Sequence, residues 1–273
     1  MTEINGRTAF ITGGANGIGL AMARALAREG AKLAIVDIDE DALTSAQREL
    51  AKVTDVEIAR LDVRDRGEFA RVADRVEQKL GPVSLLFNNA GVAGGAPVDR
   101  LTYELWDWGM GINLDGVING IQTFLPRMIE RGDGGHVVNT SSIAGLVAGP
   151  SGVLYHTAKY AVAGLTEALA LELEPLGIGV SLLCPGPVAT GIIDRTRAAQ
   201  PKVTRSMSTE QRKAAFAQSQ VFAESLATGT SPEAVAEMVL AAIRSNRLHI
   251  LTCKSAAAQI AARGEALLGA MPT

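Results

Sequence analysis

Histidine and cysteine are scarce in this chain of 273 residues, and their scarcity closes off several chemistries. The three histidines, His136, His156 and His249, stand at no spacing that would gather them on a metal, so no metal site is expected. The two cysteines, Cys184 and Cys253, form no Cys-x-x-Cys pair; both fall in apolar surroundings and read as free thiols of a reducing compartment. Positive charge is not in excess either. The formal net charge is −3 and lysine and arginine form no cluster, which argues against a nucleic-acid surface. No apolar run reaches the ~20 residues that a membrane span needs, and no basic-then-apolar leader opens the sequence. A soluble, cytoplasmic protein is the expectation. Linkers and internal repeats are missing as well. With 47% hydrophobic residues the chain can bury a large core, and one domain over residues 1–273 is expected.

What is present is an alternation of strand and helix signals. Apolar runs mark seven candidate strands: Thr8–Thr12, Leu33–Asp37, Val56–Leu61, Ser84–Phe87, His136–Asn139, Val180–Cys184 and Leu248–Leu251. Helical patterns lie between them, among others over Leu20–Arg28, Asp41–Lys52 and Phe69–Leu80. Continuously apolar strands separated by helices imply a parallel sheet covered on both faces. The fold class expected is α/β, a doubly wound sheet.

The first strand runs into Thr12-Gly13-Gly14-Ala15-Asn16-Gly17-Ile18-Gly19. Glycines let a pyrophosphate approach the backbone without meeting a Cβ, and the helix that follows turns its free N–H groups towards that phosphate. A mere tight turn would look the same. Asp37 changes the weight of the signal, because it ends the second strand about 20 residues on, where a carboxylate can accept hydrogen bonds from ribose hydroxyls. Asn89-Ala90-Gly91 also follows an apolar strand, and its small residues would let the backbone touch a flat base or ribose.

A second constellation lies at Asn139 to Lys159. The serines Ser141 and Ser142 close a strand, and Tyr155 and Lys159, four apart, open a helix and share a face. An ammonium beside a phenol is expected to pull the tyrosine pKa down, making the phenol fit to exchange a proton with a substrate oxygen. A serine hydroxyl could hold that oxygen. Asn113, set among glycines in a probable helix, could kink the helix and hold a water that passes protons to Lys159. Pro185-Gly186-Pro187-Val188-Ala189-Thr190 follows a further strand and reads as a rigid loop.

Taken together, the glycine loop, Asn88-Asn89-Ala90-Gly91, Asn113, Ser142, Tyr155-x-x-x-Lys159 and Pro185-Gly186 resemble the short-chain dehydrogenase/reductase family, from about residue 5 to residue 251. The resemblance implies a Rossmann-type sheet of about seven parallel strands, a nicotinamide cofactor and a catalytic set of Asn113, Ser142, Tyr155 and Lys159. Ser142 matches the catalytic serine by its distance from Tyr155, leaving Ser141 as a packing residue. The cofactor positions it implies are Gly13, Asn16, Gly17, Ile18, Gly19, Asp37 and Ile38 at the first crossover. Asp62 and Val63 would lie near the adenine, and Asn89, Ala90 and Gly91 on the adenosine side. Pro185, Gly186, Val188 and Thr190 would face the nicotinamide, with Tyr155 and Lys159 at its ribose. Asn16 and Ile38 stand where NADP-using members carry a basic residue, so NAD is expected.

The activity expected is hydride transfer between NAD(H) and a secondary alcohol or ketone. Trp106-Asp107-Trp108 with Leu114 to Gly120 is loosely similar to bacterial members that oxidise benzylic alcohols. Two other readings stay open: a 3-oxoacyl-carrier-protein reductase, against which the lack of a basic landing patch weighs, and a catalytically silent NAD-binding protein. Residues 191–230 are expected to form a substrate lid, with Ile192, Ile193, Met207, Phe216 and Phe222 as its apolar contacts. The tail 252–273 carries a possible terminal helix. Surplus apolar residues on the helices around 106–128 and 155–173, among them Leu169, Leu171 and Leu173, point to a homodimer or homotetramer.

Overall fold

The computed structural model describes residues 2–94, 96–201 and 209–272, less the side chains of 211, 212, 214–216, 218, 219, 221 and 222. Among them, seven parallel strands form one sheet in the order β3-β2-β1-β4-β5-β6-β7. The strands are β1 (Thr8–Thr12), β2 (Lys32–Asp37), β3 (Val56–Arg60), β4 (Val83–Asn88), β5 (Gly135–Thr140), β6 (Ile178–Cys184) and β7 (His249–Leu251). Every expected strand is found, within a residue or two at its ends. β6 starts earlier than its apolar run because Ile178 and Gly179 pair with Gly135 and His136 of β5.

Alternate residues of each strand face opposite layers, as the pleat requires. Ala9, Ile11, Leu33, Ile35, Leu85 and Phe87 face one layer, made by α1 (Gly17–Arg28), α2 (Glu40–Leu50) and α9 (Pro232–Ser245). Phe10, Ala34, Val36, Leu86 and Val137 face the other, which includes α3 (Arg66–Leu80), α5 (Gly116–Arg131) and α6 (Val153–Leu173). There Phe10 packs on Phe124 with ring centroids 4.6 Å apart and the rings tilted by 52°, and Phe69 closes the cluster. Helix starts are signalled locally: Asp39, Asp65 and Ser231 each accept a hydrogen bond from a backbone N–H three residues on. The remaining helices are α4 (Tyr103–Met110), α7 (Ile192–Ala199), α8 (Thr209–Ala227) and α10 (Ala257–Gly269). Among the described residues no helix is long and apolar enough to cross a membrane.

From β1 the chain winds outward to β2 and β3, then returns to place β4 on the other side of β1. The crossovers on the two sides diverge there, and a crevice opens at the C-terminal ends of β1 and β4. The glycine loop, Asp37 and the Asn88–Gly91 turn are all carried to this edge.

Two expectations change in the structure. Leu173 is buried and Leu169 packs on the core, so of the three leucines only Leu171 points outward. Cys184 is buried, but Cys253 is only half-buried. The tail does form a helix, α10, yet none of its residues is buried. Of the expected lid contacts, Met207 and the side chains of Phe216 and Phe222 lie outside the described residues.

Candidate active site

A cleft of about 430 Å³ runs along this edge of the sheet. Its wall includes the glycine-loop residues Gly13, Asn16, Gly17 and Ile18, then Asp37, Ile38, Asp62 and Val63, then Asn89, Ala90 and Gly91. Further along come Asn113, Ser142, Tyr155 and Lys159, and then Pro185, Gly186, Val188 and Thr190. Gly19 is the one expected position missing from that wall. It lies in the first turn of α1, where a Cβ would collide with the Gly13 carbonyl oxygen, so close packing requires glycine there. Gly13 itself has φ +62°, and a Cβ there would stand 2.9 Å from the Ala90 Cα. Only glycine lets these two loops close on each other.

Thr12 joins the loops. Its hydroxyl donates to the Phe87 carbonyl and accepts from the Asn89 and Ala90 amides at 2.9 and 3.0 Å. The Asn89 side chain donates to the carbonyls of Thr12 and Gly13 at 3.1 and 3.2 Å. That amide is thus spent on shaping the glycine loop. Asp37 accepts from the amides of Ala15, Ile38 and Asp39 at 3.2, 2.8 and 3.3 Å. Desolvation nonetheless pushes its carboxyl above the ordinary value, and the neighbouring charge of Asp39 acts the same way. Asp62 is gripped by Arg64, whose guanidinium lies 2.6–3.1 Å from its oxygens and lowers its pKa. Arg64 carried no signal in the sequence, and the bonds by which Thr12 joins the loops were hidden there because its partners lie 77 and 78 residues away.

A buried polar chain supports the catalytic end. Asn88 donates to Asn139 at 2.8 Å, and Asn139 donates to the Thr166 hydroxyl on α6 at 3.1 Å. Ser141 is the packing serine, donating to the Lys159 carbonyl at 2.8 Å. Ser142 accepts from the Ala144 amide at 3.1 Å and lines the cleft. Asn113 sits in a π-helical turn, Gly111–Asp115, between α4 and α5. Its amide oxygen accepts from the Val92 N–H and its nitrogen donates to the Val92 carbonyl, both at 3.1 Å. Its side chain thereby pins a loop, and its second N–H and second lone pair can still serve a water.

The electrostatics of Tyr155 and Lys159 differ from the expectation. Lys159 donates to the Thr140 carbonyl at 3.0 Å, and its Nζ is 5.7 Å from the centre of the Tyr155 ring. Burial raises the phenol pKa, while the Ser142 hydroxyl favours its ionised form. Burial also lowers Lys159 to about 8. Desolvation thus dominates the phenol, and the ammonium donates to a backbone carbonyl.

Two observations bear on whether a dinucleotide fits. The Asn16 side-chain nitrogen is buried beside the loop without a partner. On α7, Nη2 of Arg195 lies 3.5 Å from where a Cβ on Gly17 would stand, at the N-terminus of α1. A guanidinium at the positive end of a helix is unfavourable until an anion joins it. The residues present fit a bound pyrophosphate.

The short chain dehydrogenase family model matches residues 7–201, more than half of the chain. The chain belongs to the short-chain dehydrogenase/reductase family. It is an oxidoreductase of that family. The C alpha-dehydrogenase of Sphingobium sp. is 36% identical over 254 residues, covering 92% of this chain and 82% of the relative. The 3beta-hydroxysteroid dehydrogenase 2 of Eggerthella lenta is 35% identical over 189 residues, covering 68% of this chain and 73% of the relative. A short-chain dehydrogenase/reductase from Burkholderia phymatum, solved in complex with NAD, superposes with a TM-score of 0.90 at 36% identity, covering 100% of this chain and 98% of that one. Its likeness extends over the α7–α10 region as well as the sheet.

Proposed function

We propose that this short-chain dehydrogenase/reductase uses NAD to oxidise a secondary alcohol, or to reduce the corresponding ketone, with Tyr155 as acid/base. The observation that carries the reading is the sharing of one cleft by Asp37 at one end and Ser142, Tyr155 and Lys159 at the other. Relatives named as a C alpha-dehydrogenase and a 3beta-hydroxysteroid dehydrogenase make secondary alcohols the class to test first.

In this reading Asp37 takes the adenosine ribose hydroxyls, and the amides at the start of α1 take the pyrophosphate together with Arg195. Val188 and Thr190 hold the carboxamide and Lys159 the nicotinamide ribose. When bound, NAD supplies the hydride acceptor. Ser142 holds the substrate oxygen by a hydrogen bond. Tyr155 takes the hydroxyl proton in the oxidative direction and returns it in the reductive one. Its raised pKa leaves the phenol protonated at neutral pH, ready to donate. Oxidation needs the phenolate and should therefore speed up as pH rises. Residues 191–230, which contain α7 and α8, serve as the substrate lid.

Turnover of NAD⁺ with a panel of secondary alcohols, followed by NADH absorbance, tests the proposal. Saturable NADH binding with no turnover of any alcohol or ketone would instead favour a silent NAD-binding protein. Selective reduction of a 3-oxoacyl chain on a carrier protein would move the substrate class.

A further inference from the structure

His156 follows the proposed acid/base directly in the chain, yet its ring is spent elsewhere. Nδ1 lies 2.7 Å from the Ala144 carbonyl oxygen. Nε2 lies 3.0 Å from the Gly149 amide and 2.9 Å from the Gly149 carbonyl. Nδ1 faces an acceptor alone, so in the neutral ring Nδ1 carries the hydrogen and Nε2 accepts from Gly149. The two anchored residues stand five apart, on a loop that belongs to no strand or α-helix. Ile143, Ala144, Val147, Ala148 and Pro150 of that loop all line the cleft. Apart from a short turn at Ile143–Gly145, the loop's internal backbone bonds end at Val147.

We infer that His156 is a positioning residue that straps the 143–150 loop to α6 and so sets the apolar wall against which the substrate lies. The buried Ala144 and Val147 seat the first half of the loop, and an imidazole that serves both Ala144 and Gly149 supplies bonds that the backbone of the second half lacks. His156 is not a second acid/base, because both nitrogens are committed to backbone. The strap rests on the oxidoreductase reading only for its effect on the substrate, since the loop anchorage exists without any ligand.

Two measurements test it. Hydrogen–deuterium exchange of the protein alone should show the Gly149 amide and the 143–150 segment exchanging at least about tenfold faster in His156→Ala than in the parent, with β5 and β6 unchanged. In steady state with saturating NAD⁺, His156→Ala should raise the alcohol KM about tenfold or more while kcat changes less than about threefold and NADH affinity stays put. His156→Asn can still donate to Ala144 and should recover part of the KM. Unchanged exchange in the segment would overturn the strap whatever the catalytic outcome. A kcat loss of about a hundredfold at constant KM would also overturn it and make His156 part of the chemistry. If the parent turned over no alcohol, the function would fail while exchange still judged the strap. A His156→Ala chain that does not fold leaves the same two readouts to His156→Asn, whose failure to exchange faster at Gly149 would refute the idea.

Discussion

Asp37 should make the enzyme discriminate between NAD and NADP by at least a hundredfold in kcat/KM. Its carboxylate stands at the end of β2, held by three backbone amides, and lines the cleft. Among the described residues the side-chain charge acting on it is that of Asp39, which is also negative. Cations in the neighbourhood are engaged. Arg64 grips Asp62, and Arg60, in register with Asp37 on β3, lies 3.4 Å from Glu40. Arg24 pairs with Glu49 on the helix, and Lys32 reaches the Leu80 carbonyl at the strand's other end. A 2′-phosphate would therefore meet an uncompensated carboxylate. At an effective dielectric of ~20 and ~5 Å, each pair of unit charges repels by about 3 kcal/mol. Solvent at the cleft mouth screens part of that, and a hundredfold preference needs only about 2.7 kcal/mol. The assay is kcat/KM with each cofactor on one alcohol, repeated at higher salt, where the ratio should narrow. Asp37→Ser combined with Ile38→Arg should erode or reverse the preference. Equal efficiency of the parent with NADP would refute the assignment of Asp37 to the ribose.

Tyr155→Phe should cost about a hundredfold or more in turnover while NADH affinity, read by fluorescence titration, stays within a few-fold; retention of a tenth of the activity would remove tyrosine as acid/base. Lys159→Ala should weaken NADH binding and turnover together, and unchanged affinity would take away its ribose role. Burial lowers His136 from 6.5 to about 4, so its contribution to stability is full above pH 6.5 and is lost as pH falls towards 4. That loss amounts to about 3 kcal/mol, and His136→Asn should flatten it in urea melts at pH 7 and pH 4.5. The exposed Leu171 on α6 remains as apolar surface, and light scattering at micromolar concentration should give a dimer or tetramer mass.

Much of this architecture is legible along the chain because it is written in short periods. Alternate residues around Phe10 and Ile11 supply two faces of a buried strand, and all seven strands announce themselves in that way. The glycine loop and Asp37 are separated by one helix and one strand, so their meeting at the cleft follows from element lengths alone. Tyr155 and Lys159 are one helical turn apart. What reads poorly is whatever depends on a partner distant in sequence. Thr12 holds Asn89 across 77 residues, and Asn88 reaches Asn139 across 51. Gly19 stands in the motif beside the other glycines, and only the fold shows that the Gly13 carbonyl lies over it and leaves no room for a Cβ. The direction of the Tyr155 pKa depends on how much water the folded cleft removes and on where Lys159 points, and spacing encodes neither. The same holds for His156, whose neighbour Tyr155 drew the eye while its own ring was claimed by a loop. Periodicity specifies the elements locally; desolvation and the satisfaction of buried polar groups arise only when the layers close, and those decide the chemistry of the site.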